Sequence, residues 1–266
     1  MASSANPTSS PFNKDLVKSI ESIKLKNEDI NVTIEGNLSA GKSYFLDLFK
    51  EIKTVKLLPE PIALWTNFKG TNLLKEKYEN KNDANQIAFQ TIANLSRIHQ
   101  ANLLYHYNTV KIYERSLASG FNIFVKHAFE KDGLGEIAFQ TLKYSYEVLT
   151  TGHLRSLSEP DVLVYIRTSP EICLERLKKR NRTAERTVSL EFLQEIHAAH
   201  ERWIKPNEKG CLPNMRCSVI IIDGNVDKDK LALEGNRVLR EIMRIAHEKF
   251  LKPSISESIS CENGIQ

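Results

Sequence analysis

Hydrophobic and polar positions along this chain follow two rhythms. Short β-branched or aliphatic runs at 32–34, 55–58, 110–113, 161–166 and 218–223 predict five strands. Between and around them, apolar residues recur at helical spacing. They predict helices over 14–26 (Leu16, Val17, Ile20, Ile23), 44–52, 86–107, 133–149, 190–203 and 228–250. A further helix opens at Ser169-Pro170, with serine as the cap and proline in the first turn, and runs into Lys178, Lys179, Arg180 and Arg182. Apolar strands that alternate with helices belong to a mainly parallel sheet covered on both faces, so the expected class is α/β. Residues 1–13 and 253–266 are rich in small and polar types and predict disordered tails around one domain, 14–252.

Composition changes this picture little. The 37 Lys and Arg against 33 Asp and Glu leave a net charge of +4 spread along the chain, which points to neither a nucleic acid polymer nor a membrane as partner. No apolar run approaches the ~18 residues of a membrane span. Cys173, Cys211, Cys217 and Cys261 suit neither a disulfide scaffold nor a zinc ribbon, so reduced thiols are expected. The first residues lack the apolar centre of a secretory signal, and no arginine precedes Arg97 as a transit peptide would require. A cytoplasmic location is expected, with mitochondrion and nucleus left open.

The chemistry concentrates at three places. Gly36-Asn37-Leu38-Ser39-Ala40-Gly41-Lys42-Ser43 has the spacing of a phosphate loop, between a β-branched run and an apolar-periodic helix. Its glycines let backbone N–H groups turn onto phosphate oxygens, Lys42 meets the β and γ phosphates, and Ser43 is a ligand for Mg²⁺. Carboxylates end two predicted strands, at Glu60-Pro61 and Glu114-Arg115, where open parallel sheets hold their ligands. Arg176, Arg180 and Arg182 form a basic cluster; positions four apart share a helix face, and guanidinium forks suit phosphate. A phosphoryl transfer needs such a set: a held triphosphate, a metal, a group for the incoming hydroxyl and positive charge.

Taken in order, the loop, Glu60-Pro61-Ile62-Ala63-Leu64-Trp65, Phe89-Gln90 with Leu95-Ser96-Arg97-Ile98, Glu114-Arg115-Ser116, and Arg180-Asn181-Arg182 with Glu185 closely resemble the deoxynucleoside kinases. The likeness spans roughly 30–250. It implies a three-layer P-loop kinase fold with an arginine-bearing lid near 180–188, and transfer of the γ-phosphate of ATP to the 5′-hydroxyl of a deoxynucleoside with Mg²⁺. By the same resemblance Glu60 is the general base or an orienting group, Arg115 contacts it and the 5′-oxygen, and Glu114 is the metal-associated carboxylate. Gln90 matches the amide that pairs with the base edge, which suits a side chain offering donor and acceptor together. Trp65, Phe89 and Phe124 match the aromatic walls of the base pocket, and Ile62 and Leu74 its lining. Tyr78 and Glu185 match the pair on the 3′-hydroxyl, and Arg176, Arg180 and Arg182 the lid arginines. A homodimer through the helices of 86–107 and 133–149 is expected by analogy.

Three positions depart from the family pattern. Arg97 keeps a base-pocket arginine whose usual aspartate falls at Gly120, so it must find another acceptor, such as water or the nucleobase. Ala184 stands where the lid usually has a second acid, which implies a looser lid. One extra residue lies between Tyr78 and Phe89. Two alternatives remain at this level: a nucleoside monophosphate kinase, and a non-catalytic subunit that kept the fold.

Overall fold

A computed structural model describes residues 11–23, 29–103, 110–204 and 217–251. Its centre is a five-stranded parallel sheet in the spatial order β2-β3-β1-β4-β5. The strands are β1 Ile30–Glu35, β2 Val55–Leu58, β3 Val110–Glu114, β4 Val162–Arg167 and β5 Ser218–Asp223, all close to the apolar runs. β1 is buried at every position, as a central strand between two helical layers must be. Because β1 has β3 on one side and β4 on the other, the chain leaves it in opposite directions, and a crevice opens at the carboxyl edge. Register decides what lines that crevice. Ile34 lies opposite Glu114 and Val164, and Leu58 opposite Tyr113, so Glu35, Glu60 and Glu114 all reach the same edge.

Twelve helices among the described residues surround the sheet: α1 Lys14–Glu21, α2 Lys42–Asp47, α3 Ile62–Thr66, α4 Leu73–Glu79, α5 Asp83–Asn102, α6 Leu117–Ser119, α7 Lys126–Lys131, α8 Glu136–Leu149, α9 Pro170–Arg180, α10 Leu190–Ile204, α11 Lys228–Leu233 and α12 Gly235–Leu251. A π-helical segment, Gly120–Val125, joins α6 to α7. The main core packs β1, β3 and β4 against Phe45 and Phe49, whose rings meet edge to face at 5.5 Å. None of these helices is long and apolar enough to cross a membrane.

Several expected elements differ in extent. α1 ends at Glu21. The expected N-terminal tail, 1–13, is too long by at least three residues: Phe12 is buried in the main core and Asn13 caps α1, because the ring fills the space beside Phe49. Residues 1–10 and 252–266, the ends of the helices over 14–26 and 86–107, Cys211 and Cys261 lie outside the described residues. The helix after the phosphate loop is α-helical only to Asp47; three-residue turns carry it to Ile52. α8 starts at Glu136 because Gly133 adopts φ +75° and the Gly135 amide donates to Asp83. The closing helix is two helices, interrupted at Glu234, where Phe12 packs so tightly on Gly235 that a β-carbon would lie 2.3 Å from its ring. Ser169 does precede α9, but its hydroxyl makes no cap bond; its amide donates to Asn225 instead. The sequence pattern missed α3, α4 and the helical run 117–131, which are short or carry no clean apolar period.

Candidate active site

The phosphate loop turns between β1 and α2. Gly36 has φ +148° and Gly41 φ +111°, conformations that L side chains rarely adopt, and a β-carbon on Gly36 would lie 2.6 Å from the Ile166 carbonyl oxygen. Asn37 fixes the turn by donating to the Leu193 carbonyl, and its own Oδ1 accepts from the Leu38 amide. Lys42 folds back over the loop: Nζ donates to the carbonyls of Asn37 at 2.8 Å and Gly36 at 3.3 Å. Burial, with Arg115 nearby, lowers its ammonium to about 8. Arg176 donates to the Ala40 carbonyl and so braces the loop from α9.

At the carboxyl edge the strand-ending acids take different partners. Ser43 Oγ donates to Glu114 Oε1 at 2.7 Å, so a hydroxyl and a carboxylate stand together at the foot of α2. That pair fits Mg²⁺, which takes one or two carboxylates and completes its shell with phosphates and water; no group of three or more His, Cys, Asp or Glu suited to a metal occurs among the described residues. Glu60 Oε1 accepts from Arg97 Nη2 at 2.8 Å and lies 3.3 Å from Arg115 Nε. Burial favours its neutral acid, but Arg115, Arg97, Lys42 and Lys77 outweigh burial and hold the carboxyl below its usual range. Arg97 thus has an acceptor in Glu60, and also stacks on Trp65 at 4.9 Å.

Glu35, unremarked in the sequence, is fully buried behind this edge. It accepts from the amide and hydroxyl of Ser116, and its Oε2 lies 3.7 Å from Arg115 Nη1. Burial pushes its carboxyl up despite Arg115 and the hydroxyls. The rule that singled out Glu60 and Glu114, an acid ending a strand, would have found it. Arg115, anchored by Glu35 and Glu60, has φ +66°, a strained backbone for a non-glycine residue at the strand end.

Two connected hollows meet at these groups. The outer one, about 710 Å³, runs from Gly41, Lys42 and Ser43 past Glu114 to Arg176, Arg180 and Arg182, with Ser39 on its wall. The inner one, about 50 Å³, lies between α3, α4, α5 and the π segment. Its walls include Trp65 and Phe89, set edge to face at 5.5 Å, with Phe124, Ile62 and Leu74. Gln90, Arg97 and Gly120 line the α5 side, and Tyr78 and Glu185 the lid side. Gln90 Nε2 is buried with no hydrogen-bond partner among the described residues. Glu60, Arg115, Leu38, Ile62 and Glu185 border both hollows. The sequence missed Lys77, which also lines the inner hollow and whose ammonium is lowered to about 7 by burial and by Arg115.

The lid departs from a single helical face. α9 stops at Arg180 because Asn181 turns into the left-handed region at φ +51°, so Arg182 lies beyond the helix. Both arginines nonetheless converge on Glu185: Arg180 pairs with Oε2, and Arg182 Nη1 donates to Oε1 at 2.9 Å. Ala184 is buried in one apolar cluster with Trp65, Leu74 and Phe89.

The family model for deoxynucleoside kinases matches residues 32–247. The chain is 31% identical over 211 residues to "Thymidine kinase 2, mitochondrial" of Homo sapiens, covering 77% of this chain and 76% of that protein. It is 31% identical over 229 residues to "Deoxycytidine kinase 2" of Gallus gallus, covering 76% and 86%, and 31% identical over 195 residues to the deoxycytidine kinase of Bos taurus, covering 65% and 74%. With the phosphate loop, the strand-end acids and the sheet order in place, the match over most of the chain establishes that this protein belongs to the deoxynucleoside kinase family.

Proposed function

We propose that this kinase uses ATP and Mg²⁺ to phosphorylate the 5′-hydroxyl of a deoxynucleoside, with Glu60 as the general base. The observation that carries this reading is the position of Glu60 and Arg115 at the junction of the two hollows: one is lined by the phosphate loop, the other by aromatic rings and an unpartnered amide. A hydroxyl reaching that junction from the inner side meets a carboxylate kept ionised by two guanidinium groups. Its proton passes to Glu60, its oxygen bonds to the γ-phosphorus, and the bond to the bridging β–γ oxygen breaks, releasing the diphosphate. Lys42 leaves the loop carbonyls for phosphate oxygens, which are stronger acceptors for an ammonium. Ser43 and Glu114 would hold the Mg²⁺, which neutralises charge on the phosphates. Arg115 steadies the attacking oxygen, Arg176 reaches the triphosphate from α9, and Arg180 and Arg182, on a lid of 180–188, draw over it.

Binding requires rearrangement. The inner hollow is far below the ~300 Å³ of a usual ligand pocket, so the substrate must part Arg97 from Glu60 or lift the lid. A nucleoside hydroxyl group that replaces a guanidinium on Glu60 raises its proton affinity at the moment a base is needed.

We also propose a homodimer. α8 exposes Ile137, Tyr144 and Val148, positions that fall on one side of the helix, and Leu95 of the neighbouring α5 is half exposed. The deciding assay offers the four common deoxynucleosides and thymidine monophosphate to pure protein with ATP and Mg²⁺. Conversion of a deoxynucleoside but not the monophosphate is expected; conversion of the monophosphate alone, or of nothing, overturns the reading.

A further inference from the structure

On α5, Gln90, Asn94 and Arg97 follow one another at helical spacing and so share a face. Each keeps a buried polar atom with no hydrogen-bond partner among the described residues: Gln90 Nε2, Asn94 Oδ1 and Arg97 Nε. Gln90 and Arg97 line the inner hollow, where an incoming substrate can meet them. Asn94 is different. It is only 9% exposed and borders neither of the two hollows, so a ligand held there does not reach its amide oxygen. An acceptor buried in that way costs stability, unless another arrangement of the protein brings it a donor.

The neighbours point to that donor. Long side chains on a helix lean toward its N-terminus, over the residues three and four positions before them, which for Arg97 are Asn94 and Ala93. Arg97 already follows this course: Nη1 lies 3.5 Å from the Ala93 carbonyl oxygen, while Nη2 reaches across to Glu60 Oε1 at 2.8 Å. From the opposite side, a β-carbon on Gly120 would lie 3.5 Å from Asn94 Oδ1, so the amide oxygen borders the space that a side chain at position 120 would occupy. The pair between Arg97 and Glu60 opposes the proposed reaction, because the substrate hydroxyl needs the same carboxylate. We propose that Asn94 is a positioning residue: on nucleoside binding Arg97 passes from Glu60 to the Asn94 amide oxygen, which frees the carboxylate and draws the guanidinium out of the inner hollow. The inference rests on Glu60 being the group that receives the 5′-hydroxyl. A neutral amide suits such an exchange. A carboxylate at 94 would hold Arg97 whether or not substrate is bound, and an aliphatic side chain would offer it nothing.

The test is steady-state kinetics with ATP, Mg²⁺ and each of the four common deoxynucleosides for wild type, Asn94→Leu, Asn94→Asp, Arg97→Met and the two double variants. Asn94→Leu nearly keeps the shape of the side chain but removes the acceptor; it is expected to raise the nucleoside KM roughly 10-fold, with a smaller change in kcat. Asn94→Asp is expected to lower that KM roughly 3-fold, because Arg97 is drawn off Glu60 before substrate arrives. With Arg97→Met in place both effects should shrink to within about 2-fold, a coupling that a merely structural role of Asn94 would not produce. Equal changes in KM with and without Arg97, or no change from either variant, overturn the inference and leave the kinase reading intact. A wild type that converts no deoxynucleoside overturns both. Should Asn94→Leu not fold, Asn94→Asp decides alone: a KM that is unchanged or raised, or that falls equally beside Arg97→Met, overturns the inference.

Discussion

Glu60 stays charged in a half-buried setting because two guanidinium groups face the same carboxylate oxygen. If it is the base, as proposed, it is needed for chemistry more than for binding. Glu60→Gln is expected to lower kcat roughly 10²- to 10⁴-fold with a smaller change in KM. Removing one guanidinium by Arg97→Ala should raise the Glu60 pKa, so the acid limb of the pH–rate profile moves to higher pH; a limb that stays in place would show that Glu60 is not the titrating base. Gly120 has ordinary helical φ −51°, and a β-carbon there would meet only Asn94 Oδ1, at 3.5 Å. An acid therefore fits. Gly120→Asp is expected to compete with Glu60 for Arg97 and to shift preference toward deoxycytidine or deoxypurines, read from a nucleoside panel.

Among the elements, β1 and its loop carry the most constraint. Ile34 is fully buried at the centre of the sheet, and Ile34→Ala should cost about 2–5 kcal/mol in denaturant unfolding. Gly36→Ala acts differently: its positive φ and the 2.6 Å approach to Ile166 oppose a β-carbon in the folded loop alone. That variant should lose the thermal shift produced by ATP and Mg²⁺, beyond any fall in its own Tm. The π segment serves the site as well, since it is the element that carries Phe124 over both Lys77 and Arg115.

Across the whole molecule, His127 couples stability to pH. The ring joins α7 to α10 through Glu195 at 2.7 Å and lies 3.6 Å from Asp132. Burial opposes its charge, but the carboxylates of Asp132 and Glu195 prevail and raise its pKa. The folded ring therefore keeps its proton to higher pH than the unfolded chain does. This stabilisation is complete below the ordinary histidine value of ~6.5 and is lost as pH rises through the folded value. Between pH 6 and 8 the Tm of wild type should fall more than that of His127→Gln. For the proposed dimer, Ile137→Glu with Tyr144→Glu should give monomers by sedimentation, and an unchanged mass would exclude that face as the interface.

Much of this molecule is written locally in its chain. Strand runs, glycine spacing at 36–43 and acids at strand ends report backbone period and turn chemistry, which neighbouring residues determine, and the sheet followed them closely. The same local reading passed over Glu35 and Lys77, and left the partner of Arg97 open. Whether a lysine in a charged run is buried, or which carboxylate an arginine reaches, depends on segments far apart in sequence: Arg97 is 37 positions from Glu60, and Lys77 is covered by rings from residues 89 and 124. Periodicity carries no record of such encounters. The sequence determined that a phosphate loop sits on a parallel sheet; only the packing of α3, α4, α5 and the lid over that edge decided which charges face one another.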